Sequence, residues 1–564
     1  MSTMTASWPD WLAQPTLGVE RALWLVWAAT IAVYAPSLVH AAFLSDDVAI
    51  LAGVYAWHQA GHLWSHIGAL FLERLPTGNN YYRPLPFVSF ALDLTWFGVK
   101  ASGWHVCNLA LHLLSTGCVY GLANRLMRQP GTTGAPAALV AALLFALSPV
   151  GPEVVIWVAG RYDAMATAPV LLSLYWLTRS RNGHDGPAVA SWCAAMIGLM
   201  SKESAAVIVP ISALVASWAA AERHSFRSGR YVREVLQWWL PFAGLAAVYL
   251  AWRWHTFGTP LRVYASSPVA WDVDVGLALS SAWRWFGGLV PQAADRWLIV
   301  VLMPATLLWI AGRARLLPRI AWVGAGAAIA ALIALGLVLP HKSAFASTGE
   351  DARFFYTSSA FVALALAVAA VPGAARQRIG GLGLALASAT AVAAMIATVH
   401  NVQRWVATSD SMNALLPALR ARTSTLPPEA YALVLIPDRL GPVPFGRNAQ
   451  GGLVQPPLQP VPLSTHLVPV TPEDLGAWYE KLRRGILPVL RSHSLDDVMR
   501  IPLPPPAPMM PDTFVPSRYL CWKPEARNFA VLSDIDASDG SRWQASWRRA
   551  LAEAGCEALA RAVR

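Results

Sequence analysis

The chain has 564 residues, 55% of them hydrophobic and 13% charged, with a formal net charge of +11. Soluble domains carry roughly a quarter charged residues, so this composition, with a mean hydropathy of +0.43, excludes an ordinary soluble globule. The positive balance does not mark a nucleic-acid binder, because the arginines gather in short loops between apolar runs, with no basic stripe interleaved by aromatics.

The opening residues lack a basic n-region and a small-residue cleavage site, so the first apolar run is expected to stay as a membrane span. That span, Arg21 to Leu44, reads as running from inside to outside. It is one of several runs that reach the roughly 18 to 20 residues a helix needs to cross hydrocarbon. A long first outer loop follows over 45–103. It opens on Phe43-Leu44-Ser45-Asp46-Asp47-Val48-Ala49-Ile50 and contains a second apolar stretch, Leu85 to Phe97, too short to span and interrupted by Asp93. A helix lying in the interface suits that stretch, and a short buried membrane-core helix is the competing reading.

Further spans are expected at Trp104 to Leu126, Ala135 to Leu147 and Ala164 to Thr178, followed by a helical hairpin turning outside at Ser201-Lys202-Glu203-Ser204. After these come Val235 to Trp254, a sub-length stretch Val275 to Val290, then Leu298 to Ala311, Ala321 to Leu339, Phe355 to Val371 and Ile379 to Val399. The fold class is therefore an all-α polytopic membrane protein of about eleven spans with outer-face interfacial helices. Inside loops carry arginines (Arg125 and Arg128; Arg179 and Arg181; Arg223, Arg227, Arg230 and Arg233; Arg313, Arg315 and Arg319; Arg376 and Arg378), as the positive-inside rule requires. Asp46, Asp47, Glu73, Glu153, Asp163, Glu203, Glu350 and Asp351 all fall outside. Solvated loop acids explain any one of them, but so many beside span ends point to a site, since ionisable groups at membrane depth are costly.

The membrane domain is expected to cover 1–407. Over 408–564 the hydrophobic runs shorten and prolines gather at Pro456 to Pro462 and Pro502 to Pro511. Tyr431 to Pro437 reads as a buried strand, and Ser541 to Val563 as an amphipathic helix. This is a small C-terminal α/β domain with Pro-rich connectors on the extracytoplasmic side. Cys107, Cys118 and Cys193 lie in apolar runs and suit packing. Cys521 and Cys556 are the two that can pair, and the sequence leaves a disulfide and two free thiols equally open.

Asp46 and Asp47 are the first candidates for chemistry. A carboxylate at an outer membrane boundary can take a proton from a hydroxyl or amine. A second acid beside it can hold the acceptor, bind a metal or raise its partner's pKa. The structural alternative is an N-cap and a first-turn acid on a helix over Val48 to His58. Lys202 either snorkels to headgroups or meets the phosphate of a lipid-linked substrate, with Arg83, Arg161 and Arg353 suited to the same anion. Glu153, Asp163 and Arg161 surround one outer loop, where an ion pair and an N-cap are the structural readings. His105 and His112, with Asn108 between, share a helix face at a spacing that favours hydrogen bonds in the bundle over metal binding. No P-loop, GxSxG or CxxC pattern occurs.

Six pieces in order, LSDDVAI (44–50), YYRPL (81–85), WHVCNLALH (104–112), ALLFALSPVGPEVVIWVAGRYDAMA (142–166), MSKES (200–204) and ARFFYTSS (352–359), resemble the polytopic C-type glycosyltransferases. The branch they resemble most holds the transmembrane TPR-containing protein O-mannosyltransferases and their bacterial relatives. The resemblance implies a GT-C bundle and transfer, with inversion, from a polyprenyl-phosphate sugar, with Asp46 or Asp47 as base. It puts Asp163 near a sugar, with Glu153, His105 and Tyr356 as further acceptor or sugar contacts, and Lys202 with an arginine on the donor phosphate. No cofactor is firmly implied, and a divalent metal at the acidic pair is left open. Two features depart from the family. Ser148 and Gly151 stand where it has histidines, and no TPR tail follows.

The partners implied are a lipid-linked sugar donor, the membrane, and a protein, glycan or lipid acceptor; no nucleic acid is implied. A transporter or flippase of lipid-linked saccharide, or an assembly subunit, is the alternative. Transporters tend to show repeats and helices broken at the midplane, whereas polar residues here lie at span ends. The alanine- and arginine-rich, lysine-poor composition points to a bacterial inner membrane, with the site and C-terminal domain facing the periplasm.

Overall fold

The computed structural model describes residues 21–73, 81–128, 135–180, 185–259, 301–302, 304–311, 318–336, 352–371, 377–427, 430, 432–464, 466–475, 518–533, 535 and 543–563. The expectations for Val275 to Val290, Glu350, Asp351 and Pro502 to Pro511 lie outside them. Among the described residues six helices are long and apolar enough to cross a membrane, and three shorter apolar helices accompany them. The chain is an integral membrane protein with an all-α bundle.

The bundle begins with α1 (Arg21–Val39). The first loop then forms α2 (Asp46–Gln59), α3 (Leu63–Ala69) and α4 (Pro84–Phe97) before α5 (Ala101–Leu126) and α6 (Ala135–Ala146). A short α7 (Gly151–Val155) and a 3-10 turn at Val158–Gly160 lead into α8 (Arg161–Arg179). The hairpin is α9 (Gly186–Leu199), a 3-10 turn at Glu203–Val207 and α10 (Ile208–Ala221). Then come α11 (Gly229–Phe257), α12 (Pro318–Gly336), α13 (Tyr356–Ala367) and α14 (Gln377–Thr423). Helix α8 packs between α5 and α9, and α12 packs along α13. Buried alanines on these helices, among them Ala164, Ala195 and Ala363, let backbones approach closely, as small residues do where packing rather than water drives association.

Helix α4 presents one face, Phe87, Phe90, Ala91 and Leu94, to the outer layer and leaves Trp96 exposed.

Helix α14 runs unbroken for 47 residues, so the composition change near Thr408 falls inside a helix rather than at its end. Polarity rises there, but Trp405, Met412, Leu415 and Leu419 keep a helical period and are buried. They pack against the C-terminal domain, whose four-stranded sheet has the order β4-β1-β5-β6. Its strands are β1 (Ala432–Leu435), β4 (Leu467–Val470), β5 (Arg518–Lys523) and β6 (Asn528–Leu532), while β2 (Arg439–Leu440) and β3 (Val443–Pro444) form a separate ribbon. β1 pairs parallel with β4 and β5, and β5 pairs antiparallel with β6.

Strand alternation gives this sheet two cores. Ala432, Val434, Leu520 and Trp522 join Leu44, Val48, Leu51, Phe87 and Trp157 of the membrane domain. Leu433, Leu435 and Cys521 face the other way, onto Trp547, Leu551 and Leu559 of α16 (Trp543–Glu553) and α17 (Glu557–Ala562), after α15 (Gln450–Leu453) has contributed Leu453 to the first core. Cys521 and Cys556 form a disulfide across the second core.

The turn before α8 tolerates no side chain at Gly160. A Cβ there would lie 2.6 Å from the Glu153 carbonyl and 2.7 Å from the Val154 Cα. Backbone atoms cannot swing aside, so Gly160→Ala should destabilise by about 1 to 3 kcal/mol, the usual cost of overpacking. Thermal unfolding of the detergent-solubilised protein checks this, and an unchanged midpoint would show that the turn can open.

Candidate functional site

The acidic pair splits into two different environments. Asp47 is 1% exposed, and its carboxylate accepts backbone N–H groups from Leu44 (3.2 Å), Val158 (3.2 Å) and Ala159 (2.8 Å). Burial pushes this carboxyl well above the usual range, the three N–H donors pull it back, and Asp46 adds a further push. Asp46, one residue earlier in the first turn of α2, is half-buried and takes one hydrogen bond, from Asn448 Nδ2 at 2.7 Å. Asp47 thus ties the first loop to the turn before α8, while Asp46 remains accessible.

Trp157 continues the connection. Its Nε1 donates to the Leu44 carbonyl at 3.0 Å, and the Arg353 guanidinium lies 4.5 Å above its ring. Arg353 also pairs with Glu153 at 2.8 Å. The Phe354 ring carries Arg353 at 4.9 Å and Lys202 Nζ at 4.9 Å. Lys202 in turn holds Asp163 at 2.5 Å. Beside it, Glu203 binds Arg83 at 2.7 Å and lies 3.6 Å from Arg253 of α11. Among the described residues, Arg83, Lys202, Arg253 and Arg353 thus gather with Glu153, Asp163 and Glu203 in one group of ion pairs. Tyr162 is within electrostatic reach of both Asp46 and the Arg83–Glu203 pair, which sets the acidic loop next to the cation group.

Arg161 and His105, singled out in the sequence, are turned to other partners, and Tyr356, within electrostatic reach of Asp163, is bonded inside the bundle. Arg161 is fully buried and its guanidinium is committed to Asp93, to Asn108 Oδ1 (2.7 Å) and to the Trp104 carbonyl (2.7 Å). An arginine at the foot of a helix looks the same in sequence whether it faces a ligand or joins two helices. Here it fastens α4 and α5 to α8. His105 is 1% exposed and its ring faces the backbone of Ser37 and Ala42 at the end of α1. Tyr356 hydrogen-bonds His112 Nδ1 at 2.7 Å inside the bundle, and His112 Nε2 reaches the Ala146 carbonyl at 3.0 Å. The pair is a packed polar contact between α5 and α13, as the helix-face spacing of His112 suggested.

Arg253, Glu203, Tyr162 and Asn448 were given no role from sequence. Arg253 carried a usable signal, since it is a charge near the end of a long apolar helix. Glu203 stood next to Lys202. Asn448 carried none, because its partner is 402 residues away in sequence. Among the described residues no three His, Cys, Asp or Glu side chains gather as metal ligands.

These features define a polytopic membrane protein with a group of ion pairs where helix ends meet, and with a C-terminal domain packed on its first loop. No model of a known protein family matches the chain. The protein O-mannosyl-transferase tmtc2 of Xenopus laevis is 31% identical over 142 residues, which are 24% of this chain and 16% of that protein. The chain thus spans less than a fifth of this curated relative, which bears the name of the branch its motifs resemble. ArnT from Cupriavidus metallidurans, solved with undecaprenyl phosphate, aligns with a TM-score of 0.43 at 14% identity over 82% of this chain and 92% of its own. The oligosaccharyltransferase AglB from Archaeoglobus fulgidus, solved with an inhibitory peptide and a dolichol-phosphate, aligns at 0.39 and 15% identity over 76% of this chain and 63% of its own.

Burial lowers the Lys202 ammonium to about 8; Asp163 opposes this, and Arg83 and Arg353 add to it. The lysine is charged below that pH and neutral above it, so its hold on an anion weakens as pH rises. An anion held by the charge on this lysine should bind roughly tenfold more weakly at pH 9 than at pH 7, and Lys202→Met should flatten the profile. Titration calorimetry in detergent checks this, and a wild-type profile as flat as the variant's would remove Lys202 from the anion site.

Proposed function

We propose that the chain is a membrane glycosyltransferase that moves a sugar from a polyprenyl-phosphate donor to an acceptor at the extracytoplasmic face. The observation that carries this reading is the gathering of Arg83, Lys202, Arg253 and Arg353 in one group of ion pairs, with the accessible Asp46 nearby. Polyprenyl phosphate is a good leaving group, so cations on the phosphate and a base on the acceptor suffice. Arg83, Lys202, Arg253 and Arg353 exchange part of their pairing with Glu203, Asp163 and Glu153 for the donor phosphate. Carboxylates freed in that exchange are placed to accept sugar hydroxyls, Asp163 first.

Asp46 is the base. Its carboxylate takes the proton of the acceptor hydroxyl or amine, and the acceptor atom bonds to the anomeric carbon. The bond from that carbon to the phosphate oxygen breaks, and its electron pair leaves with polyprenyl phosphate. Attack from the face opposite the phosphate inverts the sugar carbon. Asp47, occupied by three backbone donors, holds the loop. The name of the similar O-mannosyl-transferase and the six ordered motifs support the transfer class. The Cys521–Cys556 disulfide supports an oxidising compartment for the C-terminal domain, in keeping with the periplasm of a bacterial inner membrane.

Asp46→Asn should fold normally and lose roughly 10²- to 10⁴-fold in transfer, the usual worth of a general base. Asp47→Asn should lose about 1 to 3 kcal/mol of stability, because buried N–H groups would face a mismatched amide. Membranes given radiolabelled undecaprenyl-phosphate sugars and a native acceptor extract provide the assay, alongside thermal unfolding. Wild-type transfer by Asp46→Asn would move the base to Asp163. Donor carried across vesicles without release of polyprenyl phosphate by the wild type would establish transport instead.

A further inference from the structure

We infer that Asn448 is a positioning residue for the Asp46 carboxylate, so that the loop 445–448 of the C-terminal domain completes the site. The inference rests on Asp46 being the base. Three hydrogen bonds join this loop to the start of α2. Ser45 N–H donates to the Phe445 carbonyl at 2.9 Å, Ser45 Oγ donates to the Arg447 carbonyl at 2.7 Å, and Asn448 Nδ2 donates to Asp46 Oδ1 at 2.7 Å. A serine before a helix ordinarily caps it. Ser45 makes no cap bond and spends its hydroxyl on the distant loop.

Backbone geometry gives the same answer. Ser45 has φ +51° and ψ −122°, a conformation that a residue with a Cβ rarely adopts. Such a conformation persists only where its surroundings over-determine it, and here both its N–H and its hydroxyl are held by the loop. Asn448 itself has φ +60°, a region asparagine tolerates.

The loop is rigid in turn. The Asp438 carbonyl accepts the N–H groups of Phe445 (2.8 Å) and Gly446 (3.2 Å), and a Cβ on Gly446 would lie 2.7 Å from the Pro437 carbonyl. Behind it, a Cβ on Gly452 would lie 2.5 Å from Val48 Cγ1, so α15 sits directly on α2. A side-chain amide on Oδ1 fixes the carboxylate rotamer and directs Oδ2 to the acceptor proton. General-base efficiency depends on that geometry.

Glycine and aspartate both accept a positive φ, which makes Asn448→Gly and Asn448→Asp fair probes. The first removes the donor and the second sets a carboxylate against Asp46. These variants, the wild type and Asp46→Asn are purified full-length in lipid nanodiscs. Amide hydrogen exchange is read over residues 43–50, and transfer from a panel of radiolabelled undecaprenyl-phosphate hexoses to a native membrane extract is read against donor concentration. Both Asn448 variants should keep the wild-type unfolding midpoint, lose roughly tenfold in kcat and hold donor KM within about twofold. Asn448→Asp should also exchange the Ser45–Val48 amides roughly tenfold faster.

Wild-type exchange in Asn448→Asp overturns the clamp whatever the activity. Unchanged kcat in both Asn448 variants beside an inactive Asp46→Asn overturns the positioning role and leaves the base in place. A lowered midpoint with a raised KM and unchanged kcat marks mere interdomain adhesion and overturns it too. Full activity in Asp46→Asn removes the base assignment instead, and the exchange data still decide the clamp.

Discussion

The carboxylate of Asp47 is the point on which the upper half of this molecule depends. A buried carboxylate is costly unless donors surround it, and Asp47 meets that requirement with backbone N–H groups from two separate segments, Leu44 and Val158–Ala159. One side chain thereby fixes the end of the first helix against the turn that launches α8. The turn needs glycine at 160 to come that close. Asp46 beside one of those segments and Asp163 beside the other are thereby tied to the same joint.

A second constraint is the way charges are stored. Each of these ion pairs bridges elements far apart in sequence: Arg83 to Glu203, Lys202 to Asp163, Arg353 to Glu153. Charges taken out of water are costly unless paired, so burial keeps these opposite charges near one another. The aromatic rings of Trp157 and Phe354 lie against the Arg353 and Lys202 cations, a contact that adds to their hold. Arg161 shows the opposite solution. Fully enclosed and bonded on several sides, it has become part of the framework.

The C-terminal domain is built into the same arrangement. Its sheet shows one face to the first loop and α14 and the other to its own terminal helices, so it cannot be lifted away without exposing half its core. Helix α14 makes this possible by continuing past the membrane as a single rod, to Thr423. The domain's loop at 445–448 is delivered to Ser45 and Asp46 by that rod and that sheet together.

Much of this was legible in the chain itself. Hydropathy and arginine placement marked the spans, the hairpin at Lys202 and the acids at helix ends, because a bilayer imposes long apolar runs and a charge asymmetry that one-dimensional patterns record. The apolar segment Tyr431 to Pro437 read as a buried strand, and Ala432–Leu435 forms one. What a pattern cannot record is partner choice. Asp46 and Asp47 are identical neighbours in sequence and differ only because distant backbone donors close on one and a side-chain amide on the other. Arg161 and Arg353 look alike until one meets Asp93 and Asn108 and the other meets Glu153 and Trp157. The sequence by itself determined an apolar bundle of membrane-spanning helices with charged residues near helix ends. Only the tertiary structure decided which of them were enclosed, because burial and hydrogen-bond pairing are set by segments hundreds of residues apart, such as the 402 between Asp46 and Asn448.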